Sequence, residues 1–269
     1  MTKAIAKKEN TEVGTYDFGD MAGVGYEGVT SDELSIPFIG VLQSNSPQVV
    51  DEEPAASKPG MLYNTVTQEL YASGEGVVLL PVHWEKAHVE WIPRDSGGGF
   101  VGTHDCNSDV VKEAIRANDG KRFGKLKIGD NDLIETKYIY ALVLDPETMT
   151  ANGFAVVSFT STKMKPFNDY ITGTSQLRGK PPMFAQPITI KTVKQKNEHG
   201  TFFNFKVGPL GDTWRSNVLN PAEYGELMNE AVEFRKMVLN GVARADYDSE
   251  RATGSEPSTD GGDGEDAPF

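Results

Sequence analysis

The chain has 269 residues, of which 38% are hydrophobic and 24% charged, the composition of a globular protein able to bury a core. Its single cysteine, Cys106, excludes an intramolecular disulfide and a zinc site built on several thiolates. The net charge of -13 argues against a protein that binds nucleic acid, provided that the charge is spread evenly.

Residues 1–30 carry glycine, threonine and charged side chains without an apolar period, which predicts a flexible N-terminal arm. No apolar run of signal-peptide length follows the first lysines, and the most apolar stretch, Val77–Val82, is too short to span a bilayer. We therefore expect a cytoplasmic protein that makes no membrane contact. The single cysteine fits the reducing conditions of that compartment.

Residues 31–245 have the pattern of one folded domain in which strands dominate. The predicted elements are strands from Ile36 onward, a long strand over Val77–Pro93 followed by a break at Gly97–Gly99, a helix over Asp109–Ala117, two hairpins (Thr136–Leu144 with Gly153–Ser161, and Ile188–Lys196 with Thr201–Val207) and a helix over Pro221–Asn240. This order predicts a mainly β fold with α, namely an OB-like Greek-key β-barrel with extra strands and a C-terminal amphipathic helix.

The last predicted helix has the clearest boundaries. Asn220 suits the N-cap and Pro221 suits the first helical position. Apolar residues recur at three- and four-residue steps from Tyr224 onward, which gives the helix one apolar face. Gly241 supplies the stop signal.

The charge of the chain is not spread evenly. Residues 246–269 hold eight acidic residues and one arginine, a net charge of -7, with too little apolar surface to fold, which predicts a disordered acidic C-terminal tail. Between Phe159 and Arg215 the balance reverses, since nine basic residues face three acidic ones. A basic middle and an acidic end remove the objection to nucleic-acid binding that the total charge raised.

The end of the acidic tail combines acids with a proline and a final aromatic residue. Residues 264–269 run Gly-Glu-Asp-Ala-Pro-Phe, and a tail that serves only solubility has no use for the last hydrophobic side chain. This ending resembles the acidic tails of bacterial single-stranded DNA-binding proteins and of the replication proteins of short-tailed phages. The resemblance implies that the tail recruits replication or recombination proteins, such as a polymerase, helicase or recombinase, and competes with DNA for the binding groove. The residues that it implicates in partner binding are Asp263, Glu265, Asp266, Pro268 and Phe269.

Basic and aromatic residues interleave between Phe159 and Arg215. Lysine and arginine follow a phosphate backbone and aromatic rings stack on bases, at about 1–3 kcal/mol per base, so the pattern is typical of a groove for single-stranded nucleic acid. Strand alternation places Phe202 and Lys206 on one face of the second hairpin, and Phe203 on the other.

Trp84 and Trp91 stand seven residues apart on one predicted strand and therefore on opposite faces, which leaves one for the core and one for stacking. The full set of candidate DNA-binding residues is Trp84, Trp91, Phe159, Lys163, Lys165, Tyr170, Arg178, Lys180, Lys191, Lys194, Phe202 and Lys206.

The sequence therefore predicts a protein that binds single-stranded DNA without sequence preference, coats and protects it, and needs no catalytic residue, metal or cofactor. The resemblance makes a phage protein in the host cytoplasm the expected source, and a homo-oligomer is compatible with the pattern. Three alternatives stay open. They are a single-strand annealing or recombination mediator with the same groove, a Mg²⁺-dependent nuclease that uses Glu135 and Lys137 after Asp130 and Asp132, and a non-enzymatic virion or scaffold protein.

Overall fold

The computed structural model describes residues 24–25, 35–120, 126–197, 200–241 and 244–245. The predicted acidic tail (246–269) and, apart from residues 24–25, the predicted N-terminal arm (1–30) lie outside the described residues. The described strands are β1 (Ser35–Ile36), β2 (Ile39–Val41), β3 (Leu62–Asn64), β4 (Leu70–Tyr71), β5 (Val77–Ile92), β6 (Gly99–Asp105), β7 (Leu126–Ile128), β8 (Asn131–Leu144), β9 (Ala151–Phe159), β10 (Ile188–Asn197), β11 (Gly200–Pro209) and β12 (Arg244–Ala245). The described α-helices are α1 (Pro47–Val50), α2 (Asp109–Ala117), α3 (Met164–Ser175) and α4 (Pro221–Leu239).

Two long antiparallel strands, β5 and β8, form the centre of a seven-stranded sheet. Their 16 and 14 residues are enough for each to pair with two further strands in succession along its outer edge. Strand β5 pairs first with β10 and then with β6, while β8 pairs with β7 and then with β9. Strand β11 extends the sheet beyond β10, and β2, β3 and β4 form a separate three-stranded antiparallel sheet.

The predicted OB-like Greek-key barrel is not confirmed, because the described strands do not close into a barrel. Closure would require a strand at one edge of the large sheet to pair with a strand at the other edge. Strands β11 and β6 end one edge and β7 and β9 end the other, and no strand pairing joins the two edges within the described residues. The mainly β class with added helices and the C-terminal helix are confirmed.

Helices cover both faces of the large sheet, which buries the core without closing a barrel. On one face, Leu80, Tyr138 and Leu142 pack with Leu227 and Phe234 of α4. On the opposite face, the buried side chains include Leu79 and Ile139 from the sheet, Phe167 and Tyr170 from α3, and Leu62 from the small sheet. We call these the α4 face and the α3 face.

Both predicted hairpins and the predicted final helix are present. The hairpins are β8–β9 and β10–β11, and they begin and end within a few residues of the predicted bounds. In α4 the side chain of Asn220 accepts a hydrogen bond of 3.1 Å from the backbone N–H of Ala222, as an N-cap does. Gly241 follows the helix with φ = +66°, a left-handed conformation that suits glycine.

A bulge in the middle of β5 decides which face its second half presents. Before the bulge, the even-numbered residues Leu80 and Val82 lie on the α4 face. After it, the odd-numbered residues Val89 and Trp91 lie on that face. The register against β8 shifts between Pro81 and His83, and Pro81 lacks the N–H that a central ladder needs. The shift places Trp84 on the α3 face.

Candidate nucleic-acid interface

The hairpin β10–β11 carries lysines on both of its faces. Only Ile188, Thr189 and Ile190 pair with β5, and the rest of β10 continues past that strand. Lys191 and Lys206 are directly opposite each other in the ladder, and all of Lys191, Lys194 and Lys206 are exposed. Phe202 lies opposite Gln195 and is half-buried. The register confirms the predicted face pattern of this hairpin.

The loop between β2 and β3 holds the hairpin in place. The side-chain amide of Gln43 donates a hydrogen bond of 2.8 Å to the backbone carbonyl of Phe203, and its carbonyl accepts one of 2.9 Å from the N–H of the same residue. Gln43 thereby mimics a neighbouring strand along the edge of β11. The hydroxyl of Thr192 also donates to the carbonyl of Gly60. These three bonds fix the direction of the hairpin relative to the core.

A row of aromatic rings connects the hairpin with Trp84 across α3. The ring of Trp84 lies 5.3 Å from Phe167, which lies 5.3 Å from Phe159, which in turn lies 5.5 Å from Phe205 of β11. Edge-to-face contacts of this kind are stabilising beyond the area that they bury. The row makes the exposed Trp84 and the hairpin parts of one packed unit.

Trp84 also lines a groove of about 250 Å³ beside α3. We call it the Trp84 groove and define it by Trp84, Tyr170, Ile171, Thr174, Ser175, Lys180, Pro181, Met183 and Gln186. The indole is 39% exposed, while Lys180 is exposed at the surface and Gln186 is buried. An aromatic wall with a cation beside it is the combination that stacking on a base and contact with its phosphate require.

Three of the predicted stacking residues belong to the core. Phe159 is 0% exposed and Tyr170 is 1% exposed, both packed on the α3 face. Trp91 is 7% exposed and packs edge-to-face on Phe100 at 5.8 Å. The faces of these rings pack against other core side chains and are not presented to a base, so their assignment as stacking platforms is wrong. The predicted opposition of the two tryptophans is confirmed, with Trp91 in the core and Trp84 at the surface.

The prediction that Lys163 contacts phosphate is also wrong in this structure. Its side chain is buried, with the ammonium 4.6 Å from the centre of the Phe205 ring, a cation–π contact. Lys137 makes a similar contact over Phe167 at 4.8 Å and donates a hydrogen bond of 2.9 Å to Asn168. Both lysines therefore stabilise the packing of α3 rather than a ligand.

The remaining predicted cations are at the surface, and none has an acidic partner among the described residues. None of them forms an ion pair with another described residue, whereas the described ion pairs lie elsewhere, for example Lys86 with Glu135 and Lys236 with Glu233. These exposed cations are Lys165, Arg178, Lys180, Lys191, Lys194 and Lys206. Within the described residues, no acidic side chain lies within ion-pair distance of these six cations.

A family model described as Pam3 phage gp34-like protein matches residues 7–243. The chain belongs to this family. The match agrees with the expected phage context, and it ends just before the acidic segment. No curated protein and no solved structure matches the chain.

The nuclease pattern is not assembled in this gp34-like chain. Because side chains alternate along β8, Asp132 lies on the face opposite to Glu135 and Lys137. Asp132 is instead 3.4 Å from Lys127, and Glu135 is 3.6 Å from Lys86. Among the described residues, no group of three histidine, cysteine or acidic side chains could hold a metal ion.

After Trp84, every second residue of β5 up to Glu90 is polar, and these side chains form a polar cluster on the α3 face: Lys86, His88 and Glu90. A carboxylate oxygen of Glu90 is 2.8 Å from Nε2 of His104 on β6, and the other accepts a hydrogen bond of 2.6 Å from Asn131. His88 is 3% exposed, and neither ring nitrogen has a hydrogen-bond partner among the described residues. Burial holds the pKa of His88 below its usual value, and Lys86 and His104 act in the same direction while Glu135 opposes them.

Sequence reasoning missed α3, which supplies four of the nine residues that line the Trp84 groove. Phe167, Tyr170, Ile171 and Thr174 have the spacing of one helical face, which was the available signal. No sequence pattern points to Gln186.

The residues of the tail that the resemblance implicates in partner binding lie outside the described residues: Asp263, Glu265, Asp266, Pro268 and Phe269. In the part of the chain that the structure describes, no helix is long and apolar enough to cross a membrane.

Proposed function

We propose that this protein binds single-stranded DNA without sequence preference, coating and protecting it during replication or recombination. The observation that carries the proposal is the set of six exposed cations with no acidic partner among the described residues, at the hairpin β10–β11 and around α3. Binding to phosphates by lysine and arginine releases counter-ions and does not depend on sequence.

Trp84 supports a single strand rather than a duplex as the ligand. A ring that is 39% exposed and lines a groove offers a surface for stacking. A base reaches such a surface only when it is unpaired, since in a duplex both of its faces are stacked on neighbours. Phe202, half-buried on the hairpin, is a second candidate for stacking.

The acidic segment 246–269 supports the proposal as an internal competitor. Its eight acids would occupy the cationic surface when DNA is absent and yield it when DNA binds. In the proposal the same segment, once released, recruits replication or recombination proteins through Asp266, Pro268 and Phe269.

A titration of fluorescently labelled oligo-dT, followed by anisotropy, tests the function directly. We expect affinity that falls steeply between about 50 and 200 mM salt, as it does for ligands held by phosphate contacts. A duplex of the same length should compete poorly, although it carries more phosphates. Absence of binding at the lower salt concentration, or equal competition by the duplex, would overturn the proposal.

A further inference from the structure

Gln186, a residue that lines the Trp84 groove, has a buried acceptor for which the described residues supply no donor. Gln186 is 3% exposed, and its side-chain amide nitrogen donates to the carbonyl of Pro181 at 2.8 Å and to that of Pro182 at 3.4 Å. These carbonyls fix the orientation of the amide, because only the nitrogen can donate to them. The amide oxygen, Oε1, is buried and has no hydrogen-bond partner among the described residues.

The other hydroxyl groups of the groove are already engaged. Thr174 donates to the backbone carbonyl of Tyr170 at 3.0 Å, and Ser175 donates to that of Thr172 at 3.3 Å. Neither hydroxyl proton is therefore available to Gln186. Burying an acceptor without a donor costs free energy, so such a group in a folded protein calls for an explanation. A ligand that brings an N–H into the groove would supply the missing donor.

The cation at the rim of the groove is held in a restricted conformation. Lys180 has φ = +44°, which a residue with a side chain rarely adopts, and it follows Gly179 at φ = +85°. Its N–H donates to the carbonyl of Leu177 at 3.1 Å, and Pro181 follows it directly. Unusual backbone conformations of this kind cluster at ligand sites. The loop fixes the backbone of Lys180 at the rim of a groove that also contains an aromatic wall and the Gln186 acceptor.

We infer that the Trp84 groove is a pocket for one unpaired nucleobase, which stacks on Trp84, donates an N–H to Oε1 of Gln186, and places its phosphate near Lys180. This inference rests on the proposed function and makes it more specific. Each of the four DNA bases has an N–H or NH₂ donor on its Watson–Crick edge, so the pocket recognises bases as a class. It would let the protein distinguish a complete strand from one that lacks a base.

The first experiment measures the base contribution without the rest of the strand. Thymidine monophosphate and deoxyribose 5-phosphate carry the same phosphate, but only the first has a base. We expect thymidine monophosphate alone to shift the NMR signal of the Trp84 indole, assigned with a Trp84→Phe variant. Equal shifts from both compounds, or none from either, would overturn the pocket.

The second experiment compares oligo-dT with an abasic oligomer of the same length and charge. We expect the abasic oligomer to bind the intact protein more weakly by about 5- to 150-fold for each base stack that is lost. A Ser175→Trp variant fills the groove from the exposed end of α3, so it should bind oligo-dT more weakly and lose the discrimination. Thr172→Trp, also exposed on α3 but outside the groove, is the matched control. Gln186→Met removes the acceptor and should lower the discrimination; it also removes the hydrogen bonds to the carbonyls of Pro181 and Pro182, so its Tm is measured alongside that of the Thr172→Trp control.

The outcomes separate the pocket from the function. If both oligomers bind equally well and Ser175→Trp has no effect, the pocket is refuted while single-strand binding stands. If oligo-dT fails to bind but thymidine monophosphate still shifts the Trp84 signal, the proposed function fails and the nucleotide pocket stands.

Discussion

Trp84 is the single residue on which the stacking part of the proposal depends most. Replacing it by alanine should weaken binding of oligo-dT by about 1–3 kcal/mol, the contribution of one aromatic base stack. Phe154 is the matched control, since it is 38% exposed against 39% for Trp84. It lines a different groove, with Phe234 stacked on it at 4.2 Å and without lysine or arginine in the lining. Equal losses from Trp84→Ala and Phe154→Ala in an anisotropy titration would contradict the assignment.

His88 is the residue that should make the stability of the fold depend on pH. Burial lowers its pKa, so the unfolded chain takes up a proton at a higher pH than the folded protein does. The contribution of His88 to the free energy of unfolding is therefore fully present above about pH 6.5, the ordinary pKa of histidine. It is lost as the pH falls below this value towards the lower pKa of the folded protein. In urea titrations at about pH 5 and 7, His88→Leu should lose less stability on acidification than the natural protein. An unchanged difference between the two pH values would show that His88 is not responsible.

At the scale of an element, the hairpin β10–β11 provides the charge that we assign to phosphate binding. A double variant with Lys194→Ala and Lys206→Ala removes two cations that have no ion pair among the described residues, so the slope of log K against log salt should become shallower by about 1.4. The control pair, Lys112→Ala and Lys236→Ala, removes the same charge from lysines bridged to Asp109 and Glu233. Anisotropy titrations at several salt concentrations measure both slopes. An equal change in the two variants would mean that only net charge matters.

The position of helix α3 depends on a glycine at its contact with Trp214. Alanine normally stabilises a helix interior over glycine by roughly 1 kcal/mol. At Gly173, however, a Cβ would lie 2.6 Å from Nε1 of Trp214, whereas at Gly225 of α4 nothing lies within 4 Å. Gly173→Ala should therefore lower the Tm and Gly225→Ala should raise it. A gain in both variants would show that α3 can move away from Trp214 without loss.

At the scale of the whole molecule, the uneven charge predicts internal competition. Deleting residues 246–269 should tighten binding of oligo-dT at low salt, because a competing segment with eight acids is lost. A variant of full length with those acids changed to asparagine and glutamine should behave like the deletion, and both differences should shrink as salt shortens the Debye length. Binding that stays equal or becomes weaker in isothermal titration would remove the competitor role.

The reach of the acidic segment does not limit this competition. Its 24 residues can extend to about 80 Å, while a compact body of this size has a radius of gyration of about 17 Å. The segment could therefore contact the hairpin from any attachment point on the surface. Competition within one molecule predicts an effect of the deletion that does not change with protein concentration.

The parts of the fold that sequence predicted are those that local patterns specify. The two hairpins follow from alternation between turn residues, and α4 follows from Asn220, Pro221 and one apolar stripe. Barrel closure could not be predicted reliably, because it depends on which distant strands pair. For the candidate site residues, charge correctly predicted the exposure of Lys194 and Lys206, whereas the burial of Phe159 in the core was missed. Composition alone cannot distinguish a ring that stacks on bases from one that fills a core.

The short parallel pair of β1 and β12 joins the two ends of the described body, with Ser35 opposite Arg244 and Ile36 opposite Ala245. A linker between these ends would make the backbone of the body circular without moving a strand. New termini could then be opened in the exposed turn 146–148, between β8 and β9. Such a circular permutant would lack both the N-terminal segment and the acidic segment. Its affinity for oligo-dT would report the intrinsic strength of the cationic surface.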